Sequence, residues 1–155
     1  MGVVAYIAMG ANLGDRRGNI ETAVEKLRHT VGIDVRTVSS LIENSAIGGP
    51  VDSPLFLNGT AEIETTLGPR ELLVHLLTIE NQIGRVRREK WEPRLIDLDL
   101  LLYGDQVINS RVLTVPHPLM HQRRFVLEPL VQIAPNAIHP VLHKTIGQLL
   151  DELND

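Results

Sequence analysis

The apolar patterning of this 155-residue chain predicts an α+β fold: a βαββαβ core with an antiparallel sheet, an extra hairpin and C-terminal helices. Three observations carry the prediction. Two stretches repeat apolar residues at helical spacing. Four others read as strands. The two kinds interleave in the order strand, helix, strand, strand, helix, strand. The length fits one domain, residues 1–155, large enough for a real core and too small for two.

The first strand, 3–9, is a short apolar run rich in β-formers, and Gly10-Ala11-Asn12-Leu13-Gly14-Asp15 reads as the loop that ends it. Ile20, Ala23, Val24, Leu27 and Val31 then follow one helical face, closed by Gly32. A second strand is expected over 35–42, and a surface loop over 44–55, where Gly48, Gly49, Pro50 and Pro54 cluster. Residues 56–65 alternate, with Leu57, Gly59, Ala61 and Ile63 on one side and Phe56, Asn58, Thr60, Glu62 and Glu64 on the other.

Gly68-Pro69 opens the second helix, with proline at its first position and Glu71 in the first turn. Leu72, Leu76, Ile79 and Ile83 form its buried stripe and Gly84 ends it. A basic, irregular stretch, 85–94, leads into the fourth strand, 95–103. Gly104-Asp105 is a hairpin signal. Two small helices finish the chain, one beginning near Glu128-Pro129. Thr145 caps the other, with Gln148 three residues on, and it buries Ile146, Leu149, Leu150 and Leu153. This order is the split βαβ, ferredoxin-like arrangement, which hosts many chemistries.

Composition narrows the function. Apolar residues make up 43% and charged residues 22%, ordinary for a globular protein. With no cysteine, thiolate metal sites and cysteine nucleophiles are excluded, and a reducing compartment fits. No apolar run approaches the roughly 18 residues of a spanning helix. The first residues, Met1-Gly2-Val3-Val4-Ala5, lack a signal-type pattern. A cytoplasmic protein with no membrane partner is expected. The net charge is −4, yet 85–124 holds eight Lys/Arg against five Asp/Glu, or +3, leaving −7 elsewhere. That asymmetry suits a compact anionic ligand such as a phosphate chain, and argues against nucleic acid.

The sharpest local feature is Asp97-Leu98-Asp99 in the fourth strand. Residues i and i+2 share a face, so the carboxylates stand side by side on Cα atoms about 6.5 Å apart, with Ile96, Leu98, Leu100 and Leu102 opposite. Two such charges at about 4 Å and an effective dielectric constant of about 20 repel by roughly 4 kcal/mol. A solvated face or arginine partners would relieve that repulsion. So would hard divalent cations that share their coordination with substrate phosphates.

Arg85, Arg87, Arg88, Lys90 and Arg94, with Trp91 among them, feed directly into that strand. Guanidinium groups suit phosphate, and acidic metal ligands beside a cationic loop suit phosphoryl transfer. Such a loop can equally be solvated surface. Val115-Pro116-His117-Pro118 holds a histidine in extended backbone, near Arg123, Arg124 and Phe125. Phe56 and Asn58 share a strand face, where they either pack under the 44–55 loop or stack on and read a flat heterocycle. No P-loop, G-x-G-x-x-G, G-x-S-x-G or H-E-x-x-H motif occurs.

Taken together, these residues resemble the 6-hydroxymethyl-7,8-dihydropterin pyrophosphokinase family over nearly the whole chain. The most specific elements are Arg85-Val86-Arg87 with Trp91-Glu92-Pro93-Arg94-Leu95-Ile96-Asp97-Leu98-Asp99, then Leu113-Thr114-Val115-Pro116-His117, and Phe56-Leu57-Asn58. The resemblance implies transfer of pyrophosphate from ATP to the hydroxymethyl group of the pterin, releasing AMP. It implies Asp97 and Asp99 as ligands of two Mg²⁺ ions, with Arg85 and Arg94 also catalytic.

It further implies Glu80, Arg87, Arg94, Leu100, Thr114, His117 and Arg123 around ATP. Around the pterin it implies Asn44, Ile47, Phe56, Asn58, Asp97 and Phe125, the two phenylalanines sandwiching the ring. The 10–15 and 85–94 loops would be lids. A monomer whose partners are these two substrates is expected. Glu92 stands where the family usually has glycine, Ala11 where serine is frequent, Phe56 where tyrosine is frequent, and Asn44-Ser45-Ala46 where threonine-proline is usual. The competing readings are a ferredoxin-like pterin-binding regulatory module without catalysis and a metal-dependent phosphodiesterase or nucleotidyl transferase.

Overall fold

The structure, a computed structural model, describes residues 2–44, 55–84 and 95–153. The expected α+β, ferredoxin-like core is present. Strands β1 (Val3–Ala11), β2 (Ile33–Val38), β3 (Ile42–Asn44), β4 (Phe56–Thr65) and β5 (Asp97–Tyr103) form an antiparallel sheet in the order β2-β4-β1-β5, with β3 also on β4. Helices α1 (Arg16–Arg28) and α2 (Pro69–Ile83) cover one face, burying Ile20, Leu27, Leu72 and Leu76 against Ile7 and Ile63. On the other face lie α3 (Arg124–Ile133) and α4 (Ile146–Glu152), whose Leu127, Leu130 and Ile146 pack on Leu101 and Leu102. No helix among the described residues is long and apolar enough to cross a membrane.

Several local signals act as expected. Pro69 begins α2, and the Gly68 N–H donates to Glu71 Oε1 at 3.1 Å. Thr145 and Gln148 cap α4 reciprocally, at 3.1 and 2.8 Å.

Others need correction. Gly10 and Ala11 belong to β1, because both pair with β4 and Gly10 also pairs with β5. Helix α1 stops at Arg28, leaving Val31 in the following turn and 92% exposed. The strand expected over 35–42 breaks at Ser39, whose hydroxyl accepts the Thr60 N–H at 2.9 Å and donates to the Ser40 carbonyl at 2.8 Å. The chain resumes as β3, and Gln132 of α3 accepts from the Ser40 N–H.

Helix α3 starts at Arg124, ahead of Glu128-Pro129, because the Arg123 carbonyl accepts the N–H groups of both Val126 and Leu127. Pro129 lies inside the helix, buried in the core. The Gly104-Asp105 turn does not fold back onto β5. The extra hairpin is instead a separate ribbon of β6 (Ile108–Asn109) and β7 (Thr114–Val115). Leu102 leaves the face it was assigned with Leu98 and Leu100. Tyr6 opposes Leu102 and Ile7 opposes Leu100, so Leu101 is an extra residue in a β-bulge. Leu101 and Leu102 therefore both face α3, while Leu98, Leu100 and Tyr103 face α1 and α2.

Tyr6 combines packing with a polar contact. Half-buried, it donates to Glu62 Oε1 at 3.0 Å, and burial together with that carboxylate pushes its pKa up to about 12.

Candidate active site

Strand β1 runs between β4 and β5, and its register builds the site. Gly10 lies opposite Asn58 on one side and Asp97 on the other; two residues along, Ala8 lies opposite Thr60 and Asp99. Each row is long, short, long, so β1 contributes a trough whose floor is a hydrogen atom and a methyl group. A Cβ at Gly10 would lie 2.8 Å from Nδ2 of Asn58. The amide therefore occupies the space that any other residue at position 10 would fill.

The trough widens into a cavity of about 400 Å³ between the sheet and the start of α3. Asp97, Asp99 and His117 line one part of it and Asn44, Phe56 and Asn58 another, and Arg123 and Phe125 line it from the start of α3. Strand β3 contributes through the Asn44–Phe56 pair. The Oδ1 atom of Asn58 is buried and accepts no hydrogen bond. An open acceptor in such a place costs about 1–3 kcal/mol, which a ligand N–H would recover.

His117 is docked by its own backbone: its N–H donates to the Leu101 carbonyl at 3.0 Å. Nδ1 accepts the Leu119 N–H at 3.2 Å, which requires the neutral ring with its proton on Nε2. Burial lowers the His117 pKa from its ordinary value; Asp99 opposes the shift and Arg123 adds to it. Carboxylate, imidazole and guanidinium thus stand within electrostatic reach of one another. The Arg123 guanidinium lies 5.6 Å from the centre of the Phe125 ring, a cation–π contact.

Three residues implied around ATP do not line this cavity. Glu80 on α2 accepts the Leu98 N–H at 2.7 Å, fastening the amide between the two aspartates. Leu100 is buried toward α1 and α2, and Thr114 is exposed on β7. Arg85, Arg87, Arg94 and Ile47 lie outside the described residues, as does Trp91. Sequence reasoning missed Ala8, Met9, Gly10, Leu101 and Val126, which also line the cavity. None of them carried a signal of its own: Ala5 and Ala11 of the same strand are equally small and do not line the cavity.

Among the described residues, no three His, Cys, Asp or Glu side chains form a metal-binding group. Two adjacent carboxylates on a cavity wall fit a hard divalent ion that keeps its remaining positions for phosphate oxygens and water, as Mg²⁺ does. Fold and groove together define a class: a ferredoxin-like α+β domain carrying paired carboxylates beside an aromatic clamp.

A family model for 7,8-dihydro-6-hydroxymethylpterin-pyrophosphokinase (HPPK) matches residues 6–135. The chain belongs to that family and is an enzyme, a pterin pyrophosphokinase of folate biosynthesis. It is 42% identical over 150 residues to the 2-amino-4-hydroxy-6-hydroxymethyldihydropteridine pyrophosphokinase of Synechocystis sp., covering 97% of this chain and 76% of that protein. The Haemophilus influenzae protein of the same name is 41% identical over 152 residues, covering 96% and 94%. The folic acid synthesis protein fol1 of Schizosaccharomyces pombe is 41% identical over 97% of this chain, which spans only 20% of that protein. The solved HPPK-DHPS of Plasmodium falciparum with pteroate superposes with a TM-score of 0.78 at 15% identity. It covers 98% of this chain and 44% of its own, a likeness of fold alone.

Proposed function

We propose that the enzyme transfers pyrophosphate from ATP to the hydroxymethyl group of 6-hydroxymethyl-7,8-dihydropterin in a Mg²⁺-dependent reaction, giving AMP and the pterin diphosphate. The observation that carries this reading is the single cavity in which Asp97, Asp99, His117 and Arg123 meet Asn44, Phe56, Asn58 and Phe125. One group suits a polyphosphate, the other a flat heterocycle.

The substrate hydroxyl oxygen attacks the β-phosphorus and the bond to the α-phosphate oxygen breaks. AMP leaves with that electron pair, and the hydroxyl proton passes to solvent. No protein nucleophile is needed. Phe56 and Phe125 hold the ring between them, and Asn58 accepts from its edge through the open Oδ1. Asn44, and Ile47 beyond it, complete that pocket. His117 donates from Nε2 to a phosphate oxygen while Leu119 keeps Nδ1 occupied. Arg123 meets the developing phosphate charge, joined by Arg85, Arg87 and Arg94.

Asp97 and Asp99 are the residues that would hold two Mg²⁺ ions. When bound, the ions neutralise and align the phosphates. Glu80 acts by pinning the strand that carries both aspartates, and the adenine lies outside the cavity, against the backbone of Leu100 and beside Thr114. The reading extends to a single pyrophosphokinase domain working as a cytoplasmic monomer. Membership of the family does not favour a non-catalytic pterin-binding module.

Product analysis with ATP, Mg²⁺ and the hydroxymethyl dihydropterin tests the proposal. AMP rising in step with pterin diphosphate is expected; ADP with pterin monophosphate would overturn it. Asp97→Ala should abolish turnover, and a near-normal rate in that variant refutes the assigned mechanism.

A further inference from the structure

Arg16 is the first residue of α1, directly after the N-cap Asp15. A cation in the first turn sits at the positive end of the helix dipole, where local physics disfavours it. Its partners lie far along the chain. Nη1 donates to the Leu55 carbonyl at 2.8 Å and Nη2 donates to Glu43 Oε2 at 2.7 Å. Glu43 immediately precedes Asn44, and Leu55 immediately precedes Phe56. Asn44 and Phe56 are paired across the β3–β4 ladder, and both line the cavity. One planar fork thus ties together the two chain segments that deliver these residues. Arg16 does not line the cavity itself; it borders a separate surface pocket with Glu43, Leu41 and Leu57.

We propose that Arg16 is a positioning residue for the pterin end of the groove, bridging Glu43 and Leu55 so that Asn44 and Phe56 hold their places. The inference rests on reading that end of the groove as the pterin pocket. A rigid guanidinium can serve both partners at once, whereas a lysine ammonium is a point charge that cannot reproduce the fork. Neither of these two hydrogen bonds goes to the segments that carry Asp97, Asp99, His117 and Arg123, so the loss of the clamp should fall on one substrate. Pre-organisation of a pocket raises affinity by cutting the ordering cost of binding, and its removal reverses that.

Steady-state kinetics for each substrate, with direct binding of the hydroxymethyl dihydropterin, tests the inference in wild type, Arg16→Ala, Arg16→Lys, Arg17→Ala and the swap Arg16→Glu/Glu43→Arg. Arg16→Ala should raise the pterin KM about tenfold while kcat and the ATP KM stay within about twofold. Arg16→Lys should fall between, the swap should recover part of the loss, and Arg17→Ala should match wild type. An unchanged pterin KM in Arg16→Ala overturns the inference. So does a parallel rise in both KM values alongside a lowered Tm, the mark of a merely structural role. If Arg16→Ala does not fold, Arg16→Lys decides: a rise confined to the pterin KM supports the clamp, and no rise refutes it. Failure of the wild type to bind the pterin would refute the functional reading itself, which the wild-type arm reports separately.

Discussion

His117 separates binding chemistry from folding at one side chain. Its Nδ1 accepts a hydrogen bond from the Leu119 N–H and leaves Nε2–H for a ligand. Asparagine at 117 offers an oxygen in place of Nδ1 and removes the Nε2 donor. His117→Asn should therefore raise the ATP KM about tenfold, the weight of one hydrogen bond to a charged group, with pterin binding unchanged. Isothermal titration with each substrate checks this. Gly10 is the complementary case. Alanine there displaces the Asn58 amide, because its Cβ would stand 2.8 Å from Nδ2. Gly10→Ala should weaken pterin binding by about tenfold while leaving ATP binding intact. The Asp97/Asp99 pair and the Phe56/Asn58 pair were legible because a strand puts i and i+2 on one face whatever surrounds it. The roles of Ala8 and Gly10 were not, since a missing side chain acquires meaning only from the neighbours that register places beside it.

Among the elements, α3 holds one wall of the groove. It carries Phe125 and Val126 in its first turn and buries Leu127 and Leu130 completely. Leu127→Ala should cost about 2–5 kcal/mol in urea unfolding, the range for a fully buried leucine that leaves a cavity. The βαββαβ order was readable from periodicity and from the proline and glycine punctuation of α2. The start of α3 was not. The Arg123 carbonyl accepts from Val126 and Leu127, and no side chain caps the helix, so the sequence carried no capping signal there. The bulge at Leu101 was equally hidden. Alternation places Leu102 with Leu98, and only the pairing with β1 shows that one extra residue turns it over. The Ser39-Ser40 break was the readable miss, because adjacent serines that compete for backbone hydrogen bonds weaken a strand assignment.

Across the whole molecule, acid is the condition to which the fold should respond first. His139 is buried, its Nδ1 accepts from the Val141 and Leu142 amides at 3.2 and 3.1 Å, and its ring meets His121 edge-on at 6.2 Å. Burial, then the neighbouring His121 and His143, lower its pKa below the ordinary 6.5, and burial lowers His117 likewise. The unfolded chain takes up these protons near the ordinary value, the folded chain only at lower pH. In that window the unfolded state binds more protons, so stability falls as pH drops. The Tm should be flat above about pH 7.5 and decline from about pH 6.5 toward pH 5. His139→Asn, which keeps an acceptor for the two amides, should flatten part of that slope in a thermal-melt series.

Gly10 sits near the end of a strand that borrows one neighbour from the middle of the chain and the other from its last third. A ligand lying across that row spans contacts that are remote in sequence and adjacent only once the sheet has closed. Occupancy of the groove is therefore a readout of completed topology: a fragment ending before Asp97 has a β1 and a β4 but no carboxylates to set against them. In a denaturant titration of the full chain, the bound pterin should be released in the same transition in which β1, β4 and β5 part. Saturating ligand should shift that transition by an amount set by its concentration over its Kd. The substrate thereby becomes a sensor of whether this chain has finished folding.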